Sequence, residues 1–285
     1  MLNYQIGDLC FSLDGEYEPK QEGLLECFRV ERSTSEQIRY TMRFDATERF
    51  AAGIPVRSAL TYDLYRTPQG YALLYPWQGC RYAFAVLPEQ LCPGRQNFCY
   101  LHPELLDKPL LPDDRFFGML AVHRIFLQRD AVIFHAAYIE YRNSAILFAA
   151  PSQTGKSTQA ALWQRYAGAR VINGDRVLLR KKGRIWRAYG YPNSGSSEFC
   201  QNCTLPLRCI VLLEQGEKNE VWIPTSGERV RALFSGMAVF RWDTEELNWA
   251  MHLAEALTCE TQIVKLRCRP DAEAVSVLRD YLERW

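Results

Sequence analysis

The segment from residue 144 to 166 constrains the fold of this chain more than any other. Ser144 to Ala150 is nearly all apolar, which is typical of a buried strand. A short loop with the sequence Gly155-Lys156-Ser157 follows, and residues 158–166 have the composition of a buried helix. A strand that runs through a tight loop into a helix predicts an α/β domain, because the helix must pack back on the sheet.

The loop itself reads Ala149-Ala150-Pro151-Ser152-Gln153-Thr154-Gly155-Lys156-Ser157-Thr158 and resembles the Walker A loop. In such a loop, backbone N–H groups and the N-terminus of the next helix converge on phosphate oxygens. We expect residues 152–158 to bind ATP, with Lys156 on the β- and γ-phosphates and the Ser157 hydroxyl on Mg²⁺. The expected nucleotide-binding residues are Ser152, Gln153, Thr154, Gly155, Lys156, Ser157, Thr158 and Arg176.

The match to the Walker A pattern is incomplete. Ala150 stands where the first glycine belongs, and Gln153 places a side chain in a loop that often carries another glycine. The alternative is a strand–turn–helix in which the Gly-Lys-Ser sequence binds no phosphate. The apolar strand before the loop and the helix after it favour the phosphate loop.

An acidic residue follows the helix after one short apolar strand, in the sequence Val171-Ile172-Asn173-Gly174-Asp175-Arg176. A carboxylate at a strand end beside a phosphate loop serves the metal, or it orients or deprotonates the attacking hydroxyl. Asp175 is therefore predicted as a catalytic residue and a Mg²⁺ ligand. The alternative is an Asn-Gly-Asp turn that only joins two strands.

A second strand, Ala131 to Tyr141, precedes the loop strand and contains His135. Only the turn Arg142-Asn143 separates the two strands, so we expect an antiparallel hairpin. A single histidine in a strand is more often a packed core residue than a ligand, and His135 by itself does not decide between the two.

The order of these features resembles the C-terminal catalytic domain of HPr kinase/phosphorylase. More closely, it is similar to the broad set of HPr-kinase-like proteins of bacteria. The resemblance covers about residues 115–285 and leaves residues 1–110 out. It implies a mixed-sheet P-loop domain, related in fold to ATP-dependent phosphoenolpyruvate carboxykinase, in a cytoplasmic protein.

The resemblance also implies roles for single residues. Lys156 and Ser157 match ligands of the nucleotide and the metal, and His135 matches a histidine near the transferred phosphate. Nucleoside-monophosphate kinases carry a similar Gly-Lys-Ser sequence. Their loop usually lies near the start of the chain, after a strand of a parallel sheet, so the hairpin before residue 150 favours the HPr-kinase-like architecture.

The most serious departure from that family lies beside Asp175. Asp175 matches one of two adjacent acids that act as catalytic base and metal-side ligand, but Gly174 stands in place of the other. Three consequences stay open: Asp175 does both jobs, another acid such as Glu140 or Glu198 substitutes, or phosphoryl transfer is weakened.

Two polar segments follow. Residues 176–187 contain six cations and form a basic hairpin, which is usually a solvated face. The alternative is that Arg176 contacts a phosphate through its bidentate guanidinium. The loop 191–198 either closes over the acceptor substrate or is an ordinary connection.

The ten cysteines are scattered through a chain with ample apolar residues, which favours free thiols in the cytosol over a disulfide framework. Cys200 and Cys203 form a lone C-x-x-C with Cys209 nearby. A zinc site would need a fourth ligand at suitable spacing, and none follows. The sequence therefore predicts reduced cysteines and no stoichiometric zinc.

Charge and hydropathy exclude several classes of partner. The formal net charge is +1, from 34 basic and 33 acidic residues, so no global field favours nucleic acid or an anionic membrane. We find neither a signal-peptide pattern nor an apolar run of about 18 residues that could span a membrane. Nucleotide and a hydroxyl acceptor are the expected partners, and a homo-oligomer is compatible with the sequence.

Organisation along the chain predicts two domains, a β-rich domain over 1–112 and the nucleotide-binding domain over 113–285. Period-two alternation between residues 38 and 86 supports the strands of the first domain. A linker is expected at 103–112, followed by a helix that starts at Asp113 or Asp114 and ends near Gln128. The last segment reads helix, strand and helix, and these are core elements.

Together these features predict an ATP- and Mg²⁺-dependent kinase. Its acceptor is a hydroxyl, either of a serine in a peptide or protein or of a small alcohol. The alternative is a non-catalytic nucleotide-binding accessory protein, for example in a peptide-modification pathway. That alternative is supported by the departures at Ala150, Gln153 and Gly174.

Overall fold

The computed structural model of the protein describes residues 2–15, 23–31, 37–105, 117–195 and 199–284. The chain divides into two compact units, Met1–Arg129 and Asp130–Trp285. Both units combine a large sheet with helical segments, so the fold is mixed α/β.

The observed division lies further along the chain than the expected one at 112. The difference arises because the ring of Phe11 lies 5.4 Å from the rings of both Phe117 and Phe126, edge to face, within the first unit. Helix α1 (Val122–Leu127) therefore belongs to that unit. The helix start expected at Asp113 or Asp114 lies outside the described residues.

The first unit contains an eight-stranded sheet in the order β1-β2-β3-β8-β7-β6-β5-β4. Its strands are β1 (Leu2–Ile6), β2 (Leu9–Gly15), β3 (Gln37–Phe44), β4 (Ile54–Ser58), β5 (Asp63–Thr67), β6 (Gly70–Trp77), β7 (Cys80–Val86) and β8 (Gln96–Leu101). Short 3₁₀ helices accompany them in the described part of this unit, at Leu24–Phe28, Thr47–Ala52, Pro88–Gln90 and Pro103–Leu105. The pairings β2–β3 and β3–β8 are parallel and the others are antiparallel, so the predicted β-rich region is a mixed sheet.

The second unit also contains a mixed sheet, in the order β10-β9-β12-β13-β14-β16-β15. Its strands are β9 (Ala131–Tyr141), β10 (Ser144–Ala149), β11 (Arg170–Asn173), β12 (Arg176–Lys182), β13 (Ile185–Gly190), β14 (Thr204–Gln215), β15 (Glu220–Trp222) and β16 (Gln262–Cys268). Its helices are α2 (Lys156–Ala167), α3 (Ser226–Gly236), α4 (Thr244–Glu260) and α5 (Ala272–Glu283). Strand β10 also pairs in parallel with β14, and β11 pairs with β9.

The predicted hairpin of β9 and β10 is confirmed. Arg142 and Asn143 both have positive φ, 49° and 59°, as a two-residue hairpin turn requires. Strand β9 divides its pairing along its length: its first part pairs with β12, and its second part pairs with β10 and β11. His135 is the last residue paired with β12, opposite Arg176, and Ala136 is the first paired with β10, opposite Ala149. The end of β10 and the start of β12 therefore lie at neighbouring residues of β9, and the loops that adjoin these two ends come together there.

Helix α2 is held on the sheet by Trp163, which is fully buried. The Trp163 ring lies 5.1 Å from the ring of Tyr141, edge to face, and 6.2 Å from that of Phe148. Residues of β14, β16 and α5 complete the same core. This core fixes the start of α2, and with it the loop that precedes the helix, relative to β10. Among the described residues, no helix is both long and apolar enough to cross a membrane.

Candidate functional site

The loop between β10 and α2 (residues 150–155, the β10–α2 loop) lies near the start of β12, because its residues line one pocket with Gly174 and Asp175. Gln153 and Gly155 adopt positive φ values of 65° and 105°, and the N–H of Thr154 donates to the carbonyl of Pro151. Gly155 is the N-cap of α2 and forms no side-chain cap. The first N–H groups of a helix have no intrahelical partner, so this end of α2 suits an anion.

Lys156 is the first residue of α2 and is only 7% exposed. Its Nζ donates to the carbonyl oxygens of Ala150 at 3.1 Å and Pro151 at 3.3 Å. Burial lowers the pKa of the Lys156 amine; the nearby carboxylate of Asp175 opposes this shift, and the charge of Arg176 adds to it. A buried ammonium with neutral partners gains strongly when phosphate oxygens replace those carbonyls.

Asp175 and His135 form a hydrogen-bonded pair across neighbouring strands. His135 Nε2 lies 2.7 Å from Asp175 Oδ1, and Arg176 Nε donates to Asp175 Oδ2 at 3.2 Å. Burial alone would raise the pKa of Asp175, but the bond and charge of His135, followed by those of Arg176, hold it below its ordinary value. An ionised carboxylate only accepts, so Nε2 of His135 donates. In the neutral imidazole, Nδ1 is then the nitrogen that can take a proton.

Asn173 positions this pair, although sequence reasoning treated it only as part of a turn. The side chain is fully buried, and its Oδ1 accepts from the backbone N–H groups of Asp175 at 2.8 Å and Arg176 at 2.9 Å. Its Nδ2 donates to the carbonyls of Tyr191 at 2.8 Å and Asn193 at 2.9 Å. The sequence offers one local sign of this role, because an asparagine can cap the turn that follows it. No local pattern indicates the contact of Asn173 with the loop after β13.

A single pocket of about 330 Å³ collects most of the predicted residues. Its walls come from β9, the β10–α2 loop, α2, the turn before β12 and the loop after β13: His135, Ser152, Gln153, Gly155, Lys156, Ser157, Thr158, Gly174, Asp175 and Ser194. Thr154 and Arg176 are not among these lining residues. Arg176 instead contacts Asp175, which does line the pocket. The Ser157 hydroxyl and the Asp175 carboxylate supply oxygen donors, the ligand type that Mg²⁺ prefers.

The loop after β13 approaches the carboxylate closely at Gly195. Gly195 has a φ of 57°, and a Cβ atom there would lie 2.8 Å from Cγ of Asp175. Ser194 lines the pocket beside it. The described part of the 191–198 loop therefore forms a wall of the pocket; residues 196–198, with the candidate acid Glu198, lie outside the described residues.

Replacing Gly195 by alanine is expected to displace the Asp175 carboxylate and to lower turnover. The left-handed backbone also costs a non-glycine residue about 1–2 kcal/mol, which lowers the melting temperature by roughly 2–4 °C per kcal/mol. Gly183→Ala is the matched control, since Gly183 has a φ of 63° with open space around it. Thermal unfolding and activity are measured for both. Equal loss of activity in the two variants would show that the close approach of Gly195 to Asp175 does not affect turnover.

The structure does not support Glu140 as the second acid. Glu140 lies five residues after His135 on β9, and an odd separation places two side chains on opposite faces of a strand. Its carboxylate pairs with the guanidinium of Arg170 on β11 at 2.5 Å. Glu140 therefore belongs to a surface ion pair and not to the pocket.

The basic hairpin of β12 and β13 carries its charges mainly on the surface. Lys181 pairs with Glu260 at 2.5 Å, and Arg184 at the turn is exposed. This favours the interpretation as a solvated face, while Arg176 at the start of the segment contacts Asp175.

The ten cysteines are all within the described residues and form no disulfide. Cys200 is buried, and the Cys203 sulfur accepts from an Arg170 N–H at 3.6 Å. In the part of the chain that is described, neither Cys200 nor Cys203 belongs to a group of three possible metal ligands. Such a group is formed in the first unit by Cys80, His102 and Glu104.

Protein purified without added metal is expected to contain well below one zinc per chain, because the C-x-x-C has only two suitable ligands and structural zinc requires four. Elemental analysis tests this. Stoichiometric zinc that disappears in Cys203→Ser but persists in Cys80→Ser would contradict the prediction at the C-x-x-C. The opposite pattern would assign the metal to the group in the first unit.

No protein-family model matches the sequence, and no curated protein is significantly similar to it. Among solved structures, the HPr(Ser) kinase/phosphatase from Coxiella burnetii is similar over 53% of this chain and 91% of its own, with 11% sequence identity and a TM-score of 0.33. A likeness this distant assigns no activity or site residue to this chain.

Proposed function

We propose that this protein is an ATP- and Mg²⁺-dependent kinase that transfers a phosphoryl group to a hydroxyl. One observation carries the proposal: a buried lysine at a helix N-terminus and a hydrogen-bonded His–Asp pair line the same pocket. The lysine and the N-terminus of the helix supply positive charge that can bind phosphates. The His–Asp pair supplies a base that can accept the proton of an alcohol. Phosphoryl transfer requires little more than these two functions in fixed positions.

The β10–α2 loop and the first turn of α2 would hold the phosphate chain, with Lys156 between the β- and γ-phosphates. Ser157 and Asp175 would hold Mg²⁺, which neutralises charge on the phosphates when it is bound. Both residues line the pocket, and their hydroxyl and carboxylate oxygens suit that ion.

In the transfer step, the acceptor oxygen forms a bond to the γ-phosphorus. The bond from that phosphorus to the bridging oxygen breaks, and ADP leaves with the electron pair. The hydroxyl proton passes to the pair of His135 and Asp175, with His135 Nδ1 as the receiving atom and Asp175 as the group that fixes the tautomer. A positioned base of this kind contributes about 10²–10⁴-fold to the rate.

This assignment explains how one acid can serve where the resembled family has two. Gly174 contributes no carboxylate, and Asp175 has one oxygen on His135 and the other on Arg176. If the imidazole takes the proton, Asp175 remains ionised throughout the step. A second carboxylate is then unnecessary for proton removal.

A phosphoproteomic comparison of cells with and without the gene tests the function and does not require the acceptor to be identified beforehand. We expect a phosphorylated product that disappears on deletion and returns with the wild-type gene but not with Lys156→Ala. Incubation of the purified protein with Mg²⁺, γ-labelled ATP and that acceptor then shows direct transfer.

Gly174 favours one second candidate, a nucleotide-binding accessory protein without turnover. ATP binding to the purified protein, with no labelled product in extracts and no change in the phosphoproteome, would select this alternative.

A further inference from the structure

A second, larger cleft of about 620 Å³ lies within the second unit and shares His135 with the phosphate pocket. Its apolar walls include Phe134, Ala149, Leu212 and Leu213, and one side of α3 contributes polar residues. A partly apolar cavity of this size is typical of sites for small molecules. None of the steps described above requires it.

The charged residues of the cleft differ in whether they already have partners. The Glu228 carboxylate accepts from the N–H of Thr225 at 2.9 Å and from its hydroxyl at 2.8 Å, as part of the N-terminal cap of α3. Lys265 pairs with Glu214 at 2.5 Å. Arg231 is exposed and makes neither an ion pair nor a hydrogen bond among the described residues. The bonds from Thr225 lower the pKa of Glu228 most, and the charge of Arg231 lowers it further. The guanidinium of Arg231 therefore acts on Glu228 without a hydrogen bond, and its N–H groups can donate to a ligand.

The cleft and the phosphate pocket also meet at the start of the β10–α2 loop. Lys156, which is expected on the β- and γ-phosphates, donates to the carbonyls of Ala150 and Pro151, and both of these residues also line the cleft. If ATP binds as in a Walker A loop, the backbone N–H groups of the loop would hold the α- and β-phosphates, and the γ-phosphate would lie at Lys156. A molecule in the cleft would therefore face the phosphoryl group that is transferred, with His135 between the two cavities.

We propose that this cleft binds the acceptor, and that the acceptor is a small amphipathic alcohol with an apolar body and one carboxylate. The apolar walls cover the body, and Arg231 binds the carboxylate through its two parallel N–H groups. The hydroxyl then lies at His135, where it loses its proton. This inference rests on the proposed function, because it names the substrate class of that same kinase site.

The test uses 1-anilinonaphthalene-8-sulfonate as a probe, since it combines aromatic rings with one anionic group. Fluorescence titration should show one site per chain that persists when Mg²⁺ and a non-hydrolysable ATP analogue are bound. Arg231→Gln should weaken binding about 10-fold or more, as expected for a charge-assisted hydrogen bond. Arg165→Gln is the matched control, because Arg165 is an exposed residue on α2 outside the cleft and should leave the affinity unchanged.

Filling the cleft provides an independent check. Ser235→Trp places an indole against the lining of α3 and should abolish probe binding without weakening the binding of ATP. If that variant does not fold by circular dichroism, Ala232→Phe fills the same cavity with a smaller ring. Retention of the probe in the folded variant would overturn the proposal.

Two further results would overturn it. Competition between the ATP analogue and the probe would identify the cleft as the nucleoside site, and equal affinities of Arg231→Gln and wild type would remove the anion site. Failure of the kinase proposal has a different signature: the probe binds and depends on Arg231, but ATP does not bind.

Discussion

ATP binding is expected to fall at least 100-fold when Lys156 is replaced by alanine. The lysine places a positive charge between two phosphates, and hydrogen bonds to charged groups contribute about 1.5–3 kcal/mol each, so the loss of two corresponds to roughly 100-fold or more in Kd. The fold should survive, because in the free protein the ammonium is buried against two neutral carbonyls. Isothermal titration with ATP and Mg²⁺, together with thermal unfolding, measures both effects.

Lys181→Ala is the matched control for this experiment. Lys181 makes a surface ion pair with Glu260, and such pairs contribute about 0–1 kcal/mol to stability. Its removal should leave ATP affinity unchanged. If the folded Lys156→Ala protein binds ATP as tightly as wild type, the β10–α2 loop is not the phosphate site.

Asp175→Asn is expected to lower kcat by about 10²–10⁴-fold and to change the Kd of ATP much less. The substitution is nearly isosteric, but the amide nitrogen can donate to Nε2 of His135. Nδ1 would then carry the proton and could not receive another. Turnover and nucleotide binding, measured separately on the same preparation, distinguish a proton-handling role from a metal-binding role.

The remaining outcomes are each informative. If Asp175→Asn loses ATP·Mg²⁺ binding and turnover together, Asp175 is chiefly a metal ligand. If it keeps full activity, the proton goes elsewhere, and Glu198 becomes the candidate acid. His135→Gln provides the second arm: it should reduce turnover to a similar extent, and the double variant should be no worse than either single one, because the two residues act as a unit.

Stability in acid provides an independent measure of the same pair. The folded protein holds the pKa of Asp175 below its ordinary value, so the carboxylate stabilises the fold at pH values above about 3.9. That contribution is lost as the pH falls through the folded-state pKa. The difference in unfolding free energy between wild type and Asp175→Asn should therefore be present at neutral pH and shrink in acid.

Local patterns in the sequence were sufficient for the elements around the site. The apolar runs of β9 and β10 and the two-residue turn between them left no alternative to a hairpin, and β9 has the predicted bounds, Ala131–Tyr141. That His135 and Asp175 lie close together followed only from the resemblance to a family, because 40 residues separate them. Strand register, which brings them together, is a property of the whole sheet.

Other features could not be predicted because they depend on contacts between distant segments. The bonds of Asn173 to the loop after β13 and the close approach of Gly195 arise from packing around β11 and β12. The cleft with Arg231 requires α3 to lie near Phe134 of β9. Glu140, by contrast, could have been rejected as a partner of the pocket from its odd spacing to His135 alone.

The divided pairing of β9 has an evolutionary consequence. His135, on the β12 side, belongs to the proton-handling part of the site, and Ala136, on the β10 side, leads to the part that holds phosphate. The amide of Ala136 also donates to the carbonyl of Asp175 at 3.0 Å. An insertion or deletion of one residue at this point would turn every side chain on one half of the strand to the opposite face. Descendants of this chain can lengthen their loops, but at this position β9 can change its residues only by substitution.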